Sequence, residues 1–341
     1  MVLTQLDNNS VDIKRAARFS VAPMMDWTDR HCRYFHRKFT KNALLYTEMV
    51  SSAALVKGKA FHLLDHSEEE HPLALQLGGS DPIELSEAAA IGEDFGYQEI
   101  NLNVGCPSDR VQSGAFGAIL MKKPKLVEDC CRAMIEATSS TITVKCRIGV
   151  DDQDPNYVLP LFLHHVANAG IQRVIIHARK AILKGLSPKD NRSIPPLNYD
   201  LVFKMKEQFP DMIIALNGGI SNLEHAKELI AKGIDGVMIG REAYKRPSQI
   251  LSDADDIIFM DNNKKKLPLN IAIEMRRYIE KHVKNGGRPH QVTRHMMGLF
   301  HGLPGAKAWK QNLSCKTSRG NLDYYNSAID AVSAEIGSAA A

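Results

Sequence analysis

Glu99-Ile-Asn-Leu-Asn-Val-Gly-Cys-Pro-Ser-Asp-Arg-Val-Gln-Ser-Gly-Ala-Phe-Gly-Ala-Ile-Leu120 is the stretch that decides how this chain is read. Residues 99–104 read as a short buried strand. Gly105 and Pro107 stop it and leave Cys106 on a loop at the strand's C-terminal end. Gly114 and Gly117 follow, and glycine there admits positive φ and a close backbone approach. A cysteine at the mouth of a strand, beside Asn101 and Asn103, is a candidate reactive group. The alternative is a small buried hydrophobe, which is how most free cysteines behave.

Apolar runs of the same kind lie on both sides of this one. Residues 19–22 precede Pro23-Met24-Met25, 43–47 precede Glu48, and 73–77 precede Gly78-Gly79. Downstream, 142–147 precede Gly149, 173–177 precede Ala178-Arg179, 212–216 precede Asn217-Gly218-Gly219, and 235–239 precede Gly240-Arg241. Helical segments alternate with them. Asp81-Pro82 opens a helix over 83–95, and Lys123-Pro124 opens another to about 138. Residues 156–169 end at Gly170, and 222–232, capped by Ser221, end at Gly233. Eight strands alternating with helices predict an α/β fold, a (β/α)8 TIM barrel. A doubly wound open sheet is the alternative, but no G-x-G-x-x-G follows the first strand.

The expected organisation is a polar N-terminal tail over 1–18 and a catalytic barrel over 19–255. A linker over 256–266 and a helical domain over 267–341 complete it. Segment 180–200 reads as a long polar loop at the catalytic face of the barrel, where long loops are usually functional.

The chain has 341 residues, enough to bury a large core. Its six cysteines are Cys32, Cys106, Cys130, Cys131, Cys146 and Cys315, and none forms a C-x-x-C pair. Neither a zinc site nor a disulfide framework is expected, and no metal. The N-terminus lacks a signal-peptide core and no apolar run reaches membrane-spanning length, so a cytoplasmic chain is expected. The net charge of +4 hides an asymmetry. Residues 263–341 carry 13 Lys/Arg against 5 Asp/Glu, whereas the rest carries 30 against 34. A basic tail on an acidic body suggests a polyanionic partner; a solvated helical surface is the plainer explanation.

In such barrels the chemistry sits at the C-terminal ends of the strands. The residues there are Pro23, Met24, Met25, Glu48, Gln76, Asn103, Cys106, Lys145, Arg147, His177, Arg179, Asn217, Gly218, Gly219, Gly240 and Arg241. Strand alternation puts Lys145 and Arg147 on one side and sends Cys146 towards the helices. Gly218, Gly219 and Gly240 expose backbone N–H groups, a short helix follows Arg241, and Arg241 can clamp an anion. A phosphate there, with Gln76, Lys145 and His177 deeper in the mouth, suits FMN. Gln76 would bond the ring edge and Lys145 would stabilise negative charge near N1. A sugar phosphate would satisfy the same site.

Ala22-Pro-Met-Met25, Thr47-Glu-Met49, Asn101-Leu-Asn-Val-Gly-Cys-Pro107, Val144-Lys-Cys-Arg147, Ile176-His-Ala-Arg179, Leu216-Asn-Gly-Gly219 and Ile239-Gly-Arg241 together resemble the tRNA-dihydrouridine synthases. Two longer segments, 177–196 and Arg294-His-Met-Met-Gly-Leu-Phe-His-Gly-Leu-Pro-Gly-Ala-Lys-Ala-Trp309, resemble the A subgroup of the bacterial enzymes. The likeness runs from about residue 19 to 314. It implies an FMN-dependent oxidoreductase, driven by NADPH, that reduces uridine in the tRNA D-loop at positions 20 and 20a. By motif, Pro23, Met24, Met25, Gln76, Lys145, His177, Asn217, Gly218, Gly219, Gly240 and Arg241 would contact FMN, and Cys106 would donate the proton. Asn103, Pro188, Asn191, Lys307 and Lys310 would touch tRNA. Many relatives have arginine at positions 307 and 310; lysine keeps the charge without the planar fork. Arg147 and Arg179 are further placed to polarise the uracil carbonyls. The partners expected are tRNA and NADPH, with no membrane and a monomeric chain. Three rivals remain: a flavin barrel reducing a free pyrimidine, an aldolase with Lys145 as Schiff base, and a non-catalytic RNA-binding module.

Overall fold

The computed structural model describes residues 13–108, 116–262, 265–314 and 322–340. Gly114 and Cys315 lie outside the described residues. Eight parallel strands form one sheet: β1 Phe19–Val21, β2 Leu45–Ser51, β3 Leu73–Gly78, β4 Glu99–Val104, β5 Thr141–Arg147, β6 Arg173–His177, β7 Ile213–Asn217 and β8 Gly236–Ile239. β1 pairs with β8, and the sheet closes between β1 and the lead into β2, where Val21 N–H donates to the Leu44 carbonyl at 3.0 Å. The barrel predicted from the strand–helix alternation is therefore present.

The helices follow in order: α1 Arg30–Arg37, α2 Ser52–Val56, α3 Pro82–Asp94, α4 Pro124–Ala137, α5 Pro155–Asn168, α6 Tyr199–Gln208 and α7 Leu223–Ala231. After β8 come α8 Arg241–Lys245, α9 Pro247–Ile250, α10 Ala254–Ile257, α11 Pro268–Lys284, α12 Pro289–Thr293, α13 Ala306–Leu313 and α14 Asp323–Ala340. Local chemistry sets their starts. The Asp81 carboxylate accepts from the Ile83 and Glu84 amides, with Pro82 at the first helical position. α7 is capped by Asn222, whose side chain accepts from His225 N–H, and not by Ser221. α5 starts a residue earlier than expected because Asp154 caps it and Pro155 opens it. β2 is longer than its apolar run, so Glu48 lies inside the strand and not at its end.

The two faces of the strands are buried differently. Leu102, Val104, Val144, Cys146, Ile176 and Leu216 join the large core under the helices, so Cys146 is a packing residue. Tyr46, Ala74, Ile175, Ala215 and Met238 fill the barrel interior, closed from below by Ile13, Ala16 and Ala17.

The tail helices share the large core with the barrel, and Trp309 sits fully buried between Phe300 and Tyr325. α1 makes the junction. Tyr34 stacks on Tyr278 with ring centroids 3.9 Å apart, and His31 Nδ1 lies 2.8 Å from the Tyr278 hydroxyl. Asp29, the cap of α1, accepts from Arg294 at 2.6 Å and from His295 at 3.0 Å. A side chain at Gly298 would place Cβ 2.2 Å from the Lys245 carbonyl oxygen, so the tail backbone approaches α8 as closely as only glycine allows. Asp255, in the acidic stretch before the tail, is buried and accepts from the Thr40 hydroxyl and the Lys41 amide, which straps that stretch to the barrel. Among the described residues no helix is long and apolar enough to cross a membrane.

Candidate active site

A cavity of about 760 Å³ opens at the C-terminal ends of the strands. Of the residues singled out from sequence, Pro23, Met24, Met25, Gln76, Asn103, Cys106, Lys145, Arg147, His177, Pro188, Asn217, Gly218, Gly219, Gly240 and Arg241 line it. Residues from separate strand ends and loops thus converge on one space, which is the usual economy of a barrel mouth.

The cradle is built after β7 and β8. Gly218 has φ 111° and Gly219 φ 73°, and a Cβ on Gly218 would stand 3.1 Å from His177 Nε2. Both conditions require glycine. The Tyr199 hydroxyl donates to the Gly218 carbonyl at 2.5 Å and fixes the turn. Arg241 follows Gly240, and its Nη2 donates to the Arg192 carbonyl at 3.1 Å. The helix behind it, α8, spans only residues 241–245, so the anion-binding capacity here lies in the glycine amides and the guanidinium.

Deeper in the mouth stand Lys145 and His177. Lys145 Nζ donates to Asn217 Oδ1 at 3.0 Å, and Asn217 Nδ2 donates to the Met238 carbonyl at 2.8 Å. Burial, then the nearby Arg147 charge, lowers the Lys145 ammonium to about 8. Burial, reinforced by Arg147 and Lys145, pushes His177 well below its ordinary value, so the imidazole is neutral at pH 7. Its Nδ1 is buried without a hydrogen-bond partner. An unsatisfied ring nitrogen at a cavity wall favours a ligand group that can pair with it, because leaving it unpaired costs about 1–3 kcal/mol.

Cys106 is half-buried on the cavity wall. Its amide donates to Asn103 Oδ1 at 2.9 Å, and its Sγ lies 3.5 Å from Ser108 Oγ. The other described cysteines, Cys32, Cys130, Cys131 and Cys146, are fully buried. Of these five, Cys106 alone has a thiol facing open space.

Several expected positions behave otherwise. Asn191 is fully buried, its Oδ1 accepting from the Ile182 amide at 2.7 Å and its Nδ2 donating to the Ile182 carbonyl at 2.8 Å. That side chain is spent on holding its own loop; the neighbour Arg192 is the one that reaches the cavity. The Arg147 guanidinium is a brace: Nε donates to Gly105 O at 3.0 Å and Nη1 to Asn191 O at 2.9 Å, tying the Cys106 loop to the 180–192 loop. It is not free to polarise a substrate carbonyl through those atoms. Arg179 donates to the Pro195 carbonyl and does not line the cavity. Glu48 accepts from the Asp26 amide and supports the 23–28 loop from outside the lining. Lys307 and Lys310 are exposed on α13, away from the cavity. Trp27, Met49 and Arg192 line the cavity without having been foreseen. Trp27 follows the Pro-Met-Met motif and stacks on Tyr244 at 4.4 Å, and Arg192 lies within the long loop, so both stood next to recognised signals.

The donor set suits a flavin phosphate and ring: glycine amides, Arg241 and Arg192 for an anion, with the neutral imidazole of His177 beside Gly218, a buried ammonium and the Gln76 carboxamide for polar atoms of a ring. Among the described residues no cluster of His, Cys, Asp and Glu could hold a metal ion.

A family model described as dihydrouridine synthase matches residues 20–333. The tRNA-dihydrouridine(20/20a) synthase of Escherichia coli K12 is 51% identical over 313 residues, covering 92% of this chain and 90% of that protein. The protein of the same name from Shewanella oneidensis is 51% identical over 311 residues, covering 91% and 92%. That from Vibrio parahaemolyticus is 52% identical over 300 residues, covering 88% and 91%. Among solved structures, an old yellow enzyme homologue from Zymomonas mobilis superposes with a TM-score of 0.49 at 12% identity, covering 67% of this chain and 86% of that one.

Proposed function

The chain belongs to the dihydrouridine synthase family, and we propose that it is a flavin-dependent oxidoreductase that reduces uridine to 5,6-dihydrouridine at positions 20 and 20a of the tRNA D-loop. FMN is the proposed cofactor, NADPH the reductant, and a monomer in the cytoplasm the working form. The observation that carries the reading is the half-buried Cys106 on the wall of a cavity that is also lined by the glycines and arginines of the cradle.

When bound, FMN supplies hydride to C6 of the uracil ring. The remaining work falls to the chain. Gly218, Gly219, Gly240 and Arg241 would hold a phosphate, and Pro23, Met24 and Met25 would supply apolar surface for the ring. His177 gives its unpartnered ring nitrogen to the bound group, and Gln76 offers the second N–H and second lone pair of its carboxamide. Lys145 would supply a positive charge to the bound flavin and so favour its reduced, anionic form. Cys106 holds a proton at Sγ and delivers it to C5 as charge develops on C5 and O4, a general-acid step worth about 10²–10⁴-fold. The base must leave its stack to reach a cavity this deep.

The basic segment over 267–341 is the proposed tRNA-binding unit. Its Lys307 and Lys310, both exposed on α13, meet phosphates and release counterions. Near the cavity, Pro188 and the free N–H of Asn103 face the incoming nucleotide.

Purified enzyme, NADPH and unmodified tRNA should yield dihydrouridine at positions 20 and 20a by mass mapping, with free uridine left unreduced. Reduction of free pyrimidines at an equal rate would favour the small-molecule alternative. A protein without flavin absorbance would remove both.

A further inference from the structure

A line of buried side chains runs from the Cys106 loop down the barrel interior. Asn103 Oδ1 accepts from the Gly105 and Cys106 amides at 3.1 and 2.9 Å. Asn103 Nδ2 donates to Gln76 Oε1 at 2.8 Å, and Gln76 Nε2 donates to Asn101 Oδ1 at 2.8 Å. Asn101 Nδ2 donates to Thr143 Oγ1 at 2.8 Å, and Thr143 donates its only hydroxyl proton to Glu99 Oε1 at 2.7 Å. Glu99 is fully buried, receives the Tyr46 hydroxyl at 2.6 Å, and is ion-paired with buried Arg173.

The direction of every bond in this chain is forced from its lower end. A carboxylate can only accept, so Thr143 must donate to Glu99. Having no second hydroxyl proton, Thr143 must accept from Asn101, which therefore turns Nδ2 down and Oδ1 up. Gln76 must then donate downward and present Oε1 to Asn103, whose own Oδ1 is left facing the two loop amides. Reversing any one amide would set oxygen against oxygen or nitrogen against nitrogen inside the barrel. The mechanism uses the upper end of this chain and leaves Glu99, Asn101 and Thr143 unexplained.

We propose that Glu99 is a positioning residue: through Thr143, Asn101 and Gln76 its carboxylate orients Asn103, and Asn103 thereby fixes the Cys106 loop over the cavity. The proposal rests on the reading of Cys106 as proton donor. Polarised hydrogen bonds in a buried chain reinforce one another, and a displacement near 1 Å of a reacting group costs about 10²-fold.

Thr143→Val cuts the chain while leaving Glu99 paired with Arg173 and Tyr46; Thr143→Ser restores it. In the flavin-loaded enzyme, Thr143→Val should lower kcat about 10–100-fold with the KM for tRNA within about twofold of the parent. The rate of flavin reduction by NADPH should not move. Independently of turnover, the iodoacetamide labelling rate of Cys106, read on its peptide by mass spectrometry, should change by about threefold or more, and Thr143→Ser should restore both readouts. Should valine prevent folding, Thr143→Ala makes the same cut with less bulk. Parent kcat and parent labelling in the valine or alanine variant, or equal slowing in valine and serine, would overturn the proposal. Failure of the Cys106 reading is separable: Cys106→Ala would then turn over at the parent rate, while the labelling of Cys106 in Thr143→Val would still report on the loop.

Discussion

Replacing Asp29 tests how the tail is fastened to the loop that carries Pro23, Met24 and Met25. Asp29 caps α1 through the Cys32 amide at 2.9 Å and accepts from Arg294 and His295. Burial alone would raise its carboxyl, but the bond and charge of His295, then the Cys32 amide and Arg294, outweigh burial and hold it well below the usual carboxylate range. Loss of the cap costs about 1 kcal/mol. The His295 side chain is fully buried; Nδ1 keeps the Tyr244 hydroxyl, but leaving Nε2 without a partner costs about 1–3 kcal/mol more. The Arg294 side chain is 35% exposed, so its share is screened and adds less than about 1 kcal/mol. Asp29→Ala should therefore lose about 2–5 kcal/mol. Asp29→Asn keeps a good cap and should lose about half as much. Urea titration followed by fluorescence reads both ends of the junction, since the two tryptophans are Trp27 at the cavity and Trp309 in the tail core. The pH dependence has a definite sign. An aspartate with a depressed folded pKa contributes fully above its unfolded value of about 3.9, and that contribution is lost as pH falls below it. Below about 4, where the unfolded Asp29 carboxyl takes up its proton, the difference in stability between parent and Asp29→Asn should shrink. A loss under about 0.5 kcal/mol for the alanine variant, within the range of ordinary surface changes, would refute the latch.

Two further outcomes follow from the cradle and the tail. Arg241→Ala removes a charge-assisted clamp and should weaken flavin retention by about 1.5–3 kcal/mol, read as a roughly 10–150-fold rise in the Kd of FMN for apoenzyme. Lys307→Glu with Lys310→Glu should weaken tRNA binding and reduce the slope of log K against log salt by about one for each phosphate no longer neutralised, without changing NADPH oxidation in the absence of tRNA.

The barrel was legible because short apolar or alternating runs, most of them broken by glycine or proline at the C-terminal end, recur between helical segments. Rim residues could then be collected by position alone, and most of them do line one cavity. α1 was not read from the sequence: Arg30–Arg37 buries Cys32 and Phe35 at helical spacing, but the equally buried His31, Arg33 and His36 mask that pattern. Asn191 and Arg192 show another limit. In an irregular loop no period says which neighbour faces inward, so the buried asparagine and the cavity-facing arginine could not be told apart from their order. Arg147 illustrates a third. Alternation put it on the correct side of β5, but only the folded chain shows that its Nε and Nη1 donors are taken by the backbone of two loops. The segment 294–309 carried a strong motif with no apparent chemistry; the Asp29 latch and the close approach at Gly298 give it a mechanical reason.

Proton delivery by Cys106 is the central claim, and single-turnover kinetics of Cys106→Ala test it most directly. The variant, loaded with FMN and reduced by NADPH at the parent rate, is mixed rapidly with unmodified tRNA, and flavin reoxidation is followed by absorbance. The account predicts reoxidation slower by about 10²–10⁴-fold with tRNA affinity unchanged. Reoxidation at the parent rate, with dihydrouridine formed, would show that the proton comes from another group and that Cys106 only packs the cavity wall.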